Sequence, residues 1–279
     1  VQELQGWIGR AREVADEMCA PAARRMAAML DQAAPDLLPG AAVPPFWIAI
    51  LFDDAQPQSR LGADGHPEKG EFLPPVPLPR RMLAGRRMTY ASPLRIGQKL
   101  TRRSEITAIT SKEGRSGRLC FVTVLHTVIG PDGVVATEEQ DIAYREASTG
   151  ASAKPEAPVA KPDAVWRVPF NPDPVLLFRY SALCFNGHRI HYDVDYARDA
   201  EGYAGLVVNG GLSTTMLLDA AMKHASGTLR GADIRTMRPV MCNRPATLCG
   251  TAPDEQGNRT LWVEDETGAM ALRIQARIS

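Results

Sequence analysis

Hydrophobic patterning is densest in two places, one in each half of the chain. Residues 117–130, GRLCFVTVLHTVIG, are rich in β-branched and aromatic side chains, which suit a pleated, half-buried surface. A PDG turn at 131–133 follows, and VVATEEQDIAYRE resumes the extended pattern. Upstream, roughly residues 8–32 are helical text, and PPFWIAILF (44–52) is a short apolar helix opened by prolines. In the other half DPVLLFRYSALCF (173–185) suits a helix, and GGLSTTMLLDAAMKHA (210–225) suits another. The second places Leu212, Met216, Leu217 and Ala220 on one face, with Ala221 and His224 following, and its glycines and Ser-Thr-Thr run mark a helix start. Strand text then returns as RTMRPVM, RPATLCGTA, RTLWVED and GAMALRIQARI, with EQGN (255–258) and ETG (266–268) as turns.

Each half therefore reads as a central helix followed by an antiparallel sheet long enough to wrap it. Strands run consecutively instead of alternating with helices, which is an α+β pattern. Between the halves, EASTGASAKPEAPVAKPDA (146–164) consists almost wholly of Ala, Pro, Ser, Lys and acidic residues and shows no apolar periodicity. It reads as an exposed linker. The expected organisation is a first half at 1–145, a linker at 146–164 and a second half at 165–279.

Composition narrows the function classes. The formal net charge of zero and the scattered basic groups, PRRMLAGRR (79–87) and TRRSE (101–105), read as solvated strand faces; no nucleic-acid footprint is expected. Five cysteines, an odd and widely spaced set without a CxxC pair, indicate neither a disulfide framework nor a cysteine zinc site. The stretch VQELQGWIGRAREVADEM is charged throughout and is not expected to be a signal peptide, and no run approaches the ~20 apolar residues of a membrane span. The expectation is a soluble cytoplasmic protein with no membrane partner.

Candidate chemistry concentrates in CFNGHRIHYD (184–193), which holds two of the five histidines. His188 and His191 offer two metal ligands, which Asp193 or Asp195 can extend, but a metal site wants three or four ligands at recognisable spacing; none is expected. The remaining readings are a hydrogen-bonded loop or an acid–base site. For the second, EGYAGLVVNGGL (201–212) delivers glycines to a helix N-terminus, where free amides and the helix dipole favour developing negative charge. A thioester carbonyl there would be polarised toward an enolate, with a histidine, whose pKa lies near neutrality, managing water at the adjacent carbons.

The run RYSALCFNGHRIHYDVDYARDAEGYAGLVVNGGL (179–212) resembles the signature of the MaoC-like, hot-dog-fold enoyl-thioester hydratases. It is most similar to the branch holding the type 2 hydroxyacyl-thioester dehydratases and the mesaconyl-C4-CoA and itaconyl-CoA hydratases. LGADGHPEKGEFLPPVPLPRRMLAG (61–85), RSGRLCFVTVLHTV (115–128) and EEQDIAYRE (138–146) look like that branch too. The resemblance implies a double hot dog, two sheets wrapping two central helices in one chain, and reversible hydration of a short, branched or dicarboxylic enoyl-CoA. It places His191 at the catalytic histidine, Asn186 at the catalytic aspartate and Asp193 at the trailing aspartate, with His188 in support. The amides near Gly210 and Gly211 would hold the thioester oxygen.

Two positions depart from the pattern. Asn186 replaces a carboxylate, and a carboxamide cannot accept a proton as a carboxylate does. Asn209 stands where the family usually has histidine. Arg80, Arg81 and Arg189 are candidates for CoA phosphates or a substrate carboxylate, since arginine pairs with both. No cofactor is expected beyond CoA carried by the substrate, and by analogy with the fold a homodimer is expected. Alternative readings are a 3-hydroxyacyl carrier-protein dehydratase of fatty-acid synthesis and a non-catalytic acyl-thioester-binding protein.

Overall fold

The computed structural model describes residues 2–33, 37–53, 55–114, 117–146 and 160–279; most of the expected linker lies outside these residues. The first half contains α1 (Gln2–Gln5), β1 (Ala11–Glu17), α2 (Ala20–Met29), β2 (Ala42–Val43) and a 3-10 helix at Pro45–Ile50. It continues with β3 (Arg80–Tyr90), β4 (Leu94–Arg95), β5 (Lys99–Gly114), β6 (Gly117–Gly130) and β7 (Gly133–Arg145). The second half runs β8 (Trp166–Phe170), α3 (Pro174–Leu183), α4 (Gly210–Lys223), β9 (Leu229–Thr236), β10 (Ala246–Gly250), β11 (Asn258–Glu264) and β12 (Met270–Ile278).

Ten of these strands form one antiparallel sheet in the order β1-β5-β6-β7-β3-β9-β12-β11-β10-β8, while β2 and β4 pair separately. The order repeats itself. In each half the first strand takes the outer edge, helices follow, the next long strand goes to the centre, and three consecutive strands fill the gap. The central strands are β3 and β9, which pair from Gly85↔Arg235 to Thr89↔Gly231. This double hot dog therefore has one continuous sheet rather than two.

Local chemistry explains most elements. Asp173 accepts a hydrogen bond from Leu176 N (2.7 Å) and Pro174 opens the first turn of α3. Helix α4 is buried nearly all round because the sheet curls about it, so Thr214, Thr215 and Asp219 are buried along with Leu212, Leu217 and Ala221. Met216 is only half-buried, and His224 lies exposed against the ring of Trp166. One apolar cluster joins α2, the 3-10 helix, α3, α4 and the concave side of the sheet. In a second, Phe72, Val76 and Leu78, from the proline-rich segment before β3, cover Ile106, Val122 and Tyr144, and Leu4 of α1 packs against them.

Two expectations need correction. Residues 11–17 form an edge strand within the stretch that reads as helix, pairing with β5 from Ala11↔Glu105 to Glu17↔Lys99. Arg12, Val14 and Asp16 face inward, a period of two disguised by polar residues, and sheet pairing overrides the helix propensity of AREVADE. The strand expected in RTMRPVM begins earlier, at Leu229, and ends at Thr236. All five cysteines are free thiols. No helix among the described residues is long and apolar enough to cross a membrane.

Candidate active site

Helix α3 ends at Leu183, and Phe185 takes a left-handed conformation (φ 49°) that reverses the chain. Asn186 N then donates to Ser181 O (2.8 Å), and Asn186 Oδ1 accepts from His188 N (2.9 Å). A carboxamide oxygen has two lone pairs, so Asn186 still offers a ligand one acceptor site besides its Nδ2 donors. A 3-10 turn at Arg189–His191 next swings the His191 ring inward, where the residue is 7% exposed.

There His191 Nδ1 lies 2.7 Å from Val207 O. A carbonyl can only accept, so Nδ1 carries the proton and Nε2 presents a lone pair. Burial holds the His191 pKa below its ordinary value, with the charge of His66 acting in the same direction, and the ring rests neutral. Asn209 Nδ2 approaches Nε2 at 3.4 Å. Asn209 is also the N-cap of α4, its Oδ1 accepting from Gly211 N (2.7 Å). That bond corrects the expectation for the glycine pair. The Gly211 amide is taken by the cap, whereas Gly210 N meets no protein acceptor among the described residues and lies exposed in the cavity wall. Gly211 is needed for space, since a Cβ there would sit 2.3 Å from Tyr180 Oη.

These groups open onto a cavity of about 1450 Å³ that runs across the join between the halves. Asn186, His188, His191, Asn209, Gly210, Gly211 and Arg81 all line it. Arg189 and Asp193 do not. They form an ion pair (2.7 Å) behind the loop, with the guanidinium also bonded to Ala63 O (3.0 Å) and seated 4.0 Å from the Tyr196 ring centroid. Asp193 caps the next turn through Tyr196 N (2.9 Å). Both therefore brace the loop instead of meeting a ligand. The side chain of Arg80 lies outside the described residues. Lys161, Arg238 and Arg244, unmarked in the sequence, line another part of the cavity, each already engaged by a carboxylate.

Sequence reasoning also missed Asp64 and His66. Their turn, from the first half, docks onto the 186–191 loop, and Arg189 N donates to Asp64 O (2.9 Å). Gly65 has φ 84°, and a Cβ on it would lie 2.0 Å from Gly187 O. His66 lies 4.1 Å from His188, centroid to centroid, and His188 stands edge-on to His191 at 5.3 Å. Burial, with His66 and His191 nearby, pushes the His188 pKa down to about 3. Burial opposes ionisation of Asp64, but hydrogen bonds and charge from His66, with the charge of Arg81, outweigh it and hold the carboxyl well below the usual carboxylate range. Ligating atoms of Asp64, His66 and His188 lie within 4.8 Å of one another, so this trio has the composition of a three-ligand cation site.

The chain is similar to several known proteins. The family model for hydroxyacyl-thioester dehydratase type 2 matches residues 47–242. A mesaconyl-C(4)-CoA hydratase from Chloroflexus aurantiacus is 44% identical over 249 residues, 88% of each chain. Among solved structures, a MaoC-like dehydratase from Phytophthora capsici aligns with TM-score 0.72 at 15% identity, over 97% of this chain and 96% of that one. A Mycobacterium tuberculosis protein described as a double hot-dog fold aligns with TM-score 0.60 at 13% identity, over 96% and 95%. The two structures speak for the fold alone. With the family model covering most of its length and the Chloroflexus relative nearly all of it, this chain belongs to the hydroxyacyl-thioester dehydratase type 2 family.

Proposed function

We propose that the chain catalyses reversible addition of water to a short α,β-unsaturated acyl-CoA, branched or dicarboxylic, like the ester in the name of its Chloroflexus relative. The observation that supports this best is one cavity holding an imidazole lone pair, at His191 Nε2, and an open helix N-terminal amide, at Gly210. The thioester oxygen accepts from Gly210 N–H, and the dipole of α4 stabilises charge moving onto it. In the dehydration direction His191 Nε2 removes the Cα proton, the electron pair passes into the thioester as an enolate, and its return expels the β-hydroxyl. Hydration is the same path reversed. Hydroxide is a poor leaving group near neutral pH, so a proton donor is also required at Cβ. Asn186 can orient the water through Nδ2 but has no proton to give.

CoA enters as part of the substrate, with no other cofactor, and the working form is a cytoplasmic homodimer. The test is turnover of mesaconyl-C4-CoA, itaconyl-CoA and crotonyl-CoA, and of one matching carrier-protein thioester, with His191→Ala as control. Hydration of at least one CoA ester, faster than the carrier-protein ester, is expected. An inert wild type, or an undiminished His191→Ala variant, overturns the reading. Thermal stabilisation by acyl-CoA without turnover would mark a binding protein instead.

A further inference from the structure

The main cavity adjoins a side chamber of about 280 Å³ that extends into the first half. Asn186, Asn209 and Gly211 line both spaces, whereas Gly210 and His191 line the main cavity alone. Much of the chamber wall is apolar, with Leu51, Met88 and Tyr180 buried in it. Charge interrupts that wall. Arg86 on β3 and Glu138 on β7 form an ion pair, Nε to Oε1 at 2.5 Å, with side chains only 13% and 15% exposed. Gln140 Nε2 donates to the same Oε1 (2.7 Å). The Arg86 fork is only partly used: Nε is bonded, while Nη1 and Nη2 meet no protein acceptor among the described residues. His126 on β6 holds Ser104 Oγ through Nδ1 (2.7 Å), and its buried Nε2 has no hydrogen-bond partner among the described residues. Arg102 on β5 lines the chamber too, over the ring of Phe52 (5.2 Å). Asp53, exposed, is the second carboxylate in the lining.

A hydrocarbon chain in this chamber would strip water from the Arg86 fork and return no hydrogen bond, which is costly for a charged group. It would also leave the His126 nitrogen unmet. A carboxylate suits the place, because a guanidinium pairs with it through two parallel N–H bonds.

We propose that the chamber reads a carboxylate carried at or beside Cβ of the acyl group, held by Arg86, and so selects short dicarboxylic acyl thioesters over monocarboxylic analogues. The inference rests on the hydro-lyase reading above. The thioester oxygen and Cα lie with Gly210 and His191 in the main cavity. Asn186, which orients the water at Cβ, also lines the chamber, so a Cβ substituent is the part of the substrate turned toward it. Glu138 fixes Arg86 through Nε and leaves the Nη groups for the substrate. An ion pair that merely clamped β3 to β7 would not influence substrate preference.

The experiment uses two thioesters that differ in one group, mesaconyl-C4-CoA and 3-methylcrotonyl-CoA, which has a methyl in place of the free carboxylate. Hydration kcat and KM are measured for each with the full chain, as wild type and as two double variants, alongside thermal melts. Arg86→Met with Glu138→Met removes both charges without leaving one buried alone. Arg86→Gln with Glu138→Gln removes the charges but keeps hydrogen-bonding groups, should the first pair fail to fold. Wild type is expected to favour the dicarboxylic ester in kcat/KM by about 10²-fold or more. In either folded double variant that preference should fall roughly 10²-fold, chiefly through a raised KM for mesaconyl-C4-CoA. The Met pair should also gain several-fold on 3-methylcrotonyl-CoA. A wild type that hydrates 3-methylcrotonyl-CoA as well as the dicarboxylic ester overturns the proposal and leaves the hydro-lyase reading standing. So does an unchanged preference in a folded double variant, whether or not both rates fall. A wild type inert toward every enoyl-CoA removes the hydro-lyase reading itself, and the proposal with it.

Discussion

In the first half β5, β6 and β7 are 16, 14 and 13 residues long, and the helix beneath them, α2, has 10. In the second half β10, β11 and β12 are 5, 7 and 9 residues long, and α4 has 14. The topology is shared, yet each half invests its length differently. Long strands give the first half a broad wall, from which Arg86, His126 and Gln140 reach the cavity. A long helix gives the second half an N-terminus that opens onto that cavity at Gly210. Chemistry then sits not on the sheet but on the connections between elements, at 51–79 in one half and 184–209 in the other. These touch at Gly65 and Gly187. A repeated scaffold can thus stay symmetric in strand order while its two connections diverge into different parts of one site.

The largest effect expected from breaking this comparison is loss of the second half's base. His191→Ala should lower kcat by about 10³-fold, within the range for a removed general base. The check is steady-state kinetics beside a thermal melt.

Undocking the first half's connection should come next. Gly65→Ala sets a Cβ against the Gly187 carbonyl at a left-handed φ, so the 62–66 turn must shift. Misplacement by about 1 Å can cost roughly 10²-fold in rate. The turn lies outside the apolar clusters, so the melting temperature should hardly move. A normal rate in Gly65→Ala would show that the two connections need not touch.

What the sequence revealed, and what it hid, follows the same division. Asn186, His188 and His191 lie within one decapeptide, and Gly210 opens the helix that follows, so local spacing drew attention to them and the family resemblance supplied their expected roles. The strands of β6 and β7 announce themselves through alternation around PDG. By contrast β1 is an edge strand whose inward positions are Arg12, Val14 and Asp16, too polar to show a period of two. Arg189 and Asp193 share the motif with His191, but the 3-10 turn points them the other way. Asp64 and His66 are about 120 residues from the motif, and their place beside it depends on a contact between halves. The one local trace was Asp-Gly-His, a carboxylate and an imidazole bracketing a glycine, and it carries weight only once Gly187 is known to lie against it.

Acid should weaken both halves, the second through His188, held down to about 3, and the first through two groups below the cavity. Under the cavity, Glu138 is bonded to Arg86 (2.5 Å); burial opposes its ionisation, but Arg86 prevails and holds the carboxyl down to about 2. Burial also pushes His126 down to about 4. Both folded pKa values are depressed, so each contribution is present above the unfolded pKa and is lost as pH falls. His126 therefore weakens the fold between about pH 6.5 and 4, and Glu138 between about 4.5 and 2. Urea midpoints should fall from pH 7 toward about 4.5, and His126→Gln should flatten that fall. An equally steep fall in the variant would move the cause to another group.

The smallest effect concerns Asn209, which joins the helix of the second half to its base. Removing the cap in Asn209→Ala should cost about 1 kcal/mol. Asp is an equally good N-cap, so Asn209→Asp should keep stability within a few tenths of a kcal/mol. It nevertheless replaces a donor facing His191 Nε2 with a carboxylate, which favours the protonated ring. The pH limb belonging to His191 should then move upward in Asn209→Asp while the melting temperature stays put. If stability and pH limb instead change together in both variants, Asn209 acts on the imidazole only through the helix it caps.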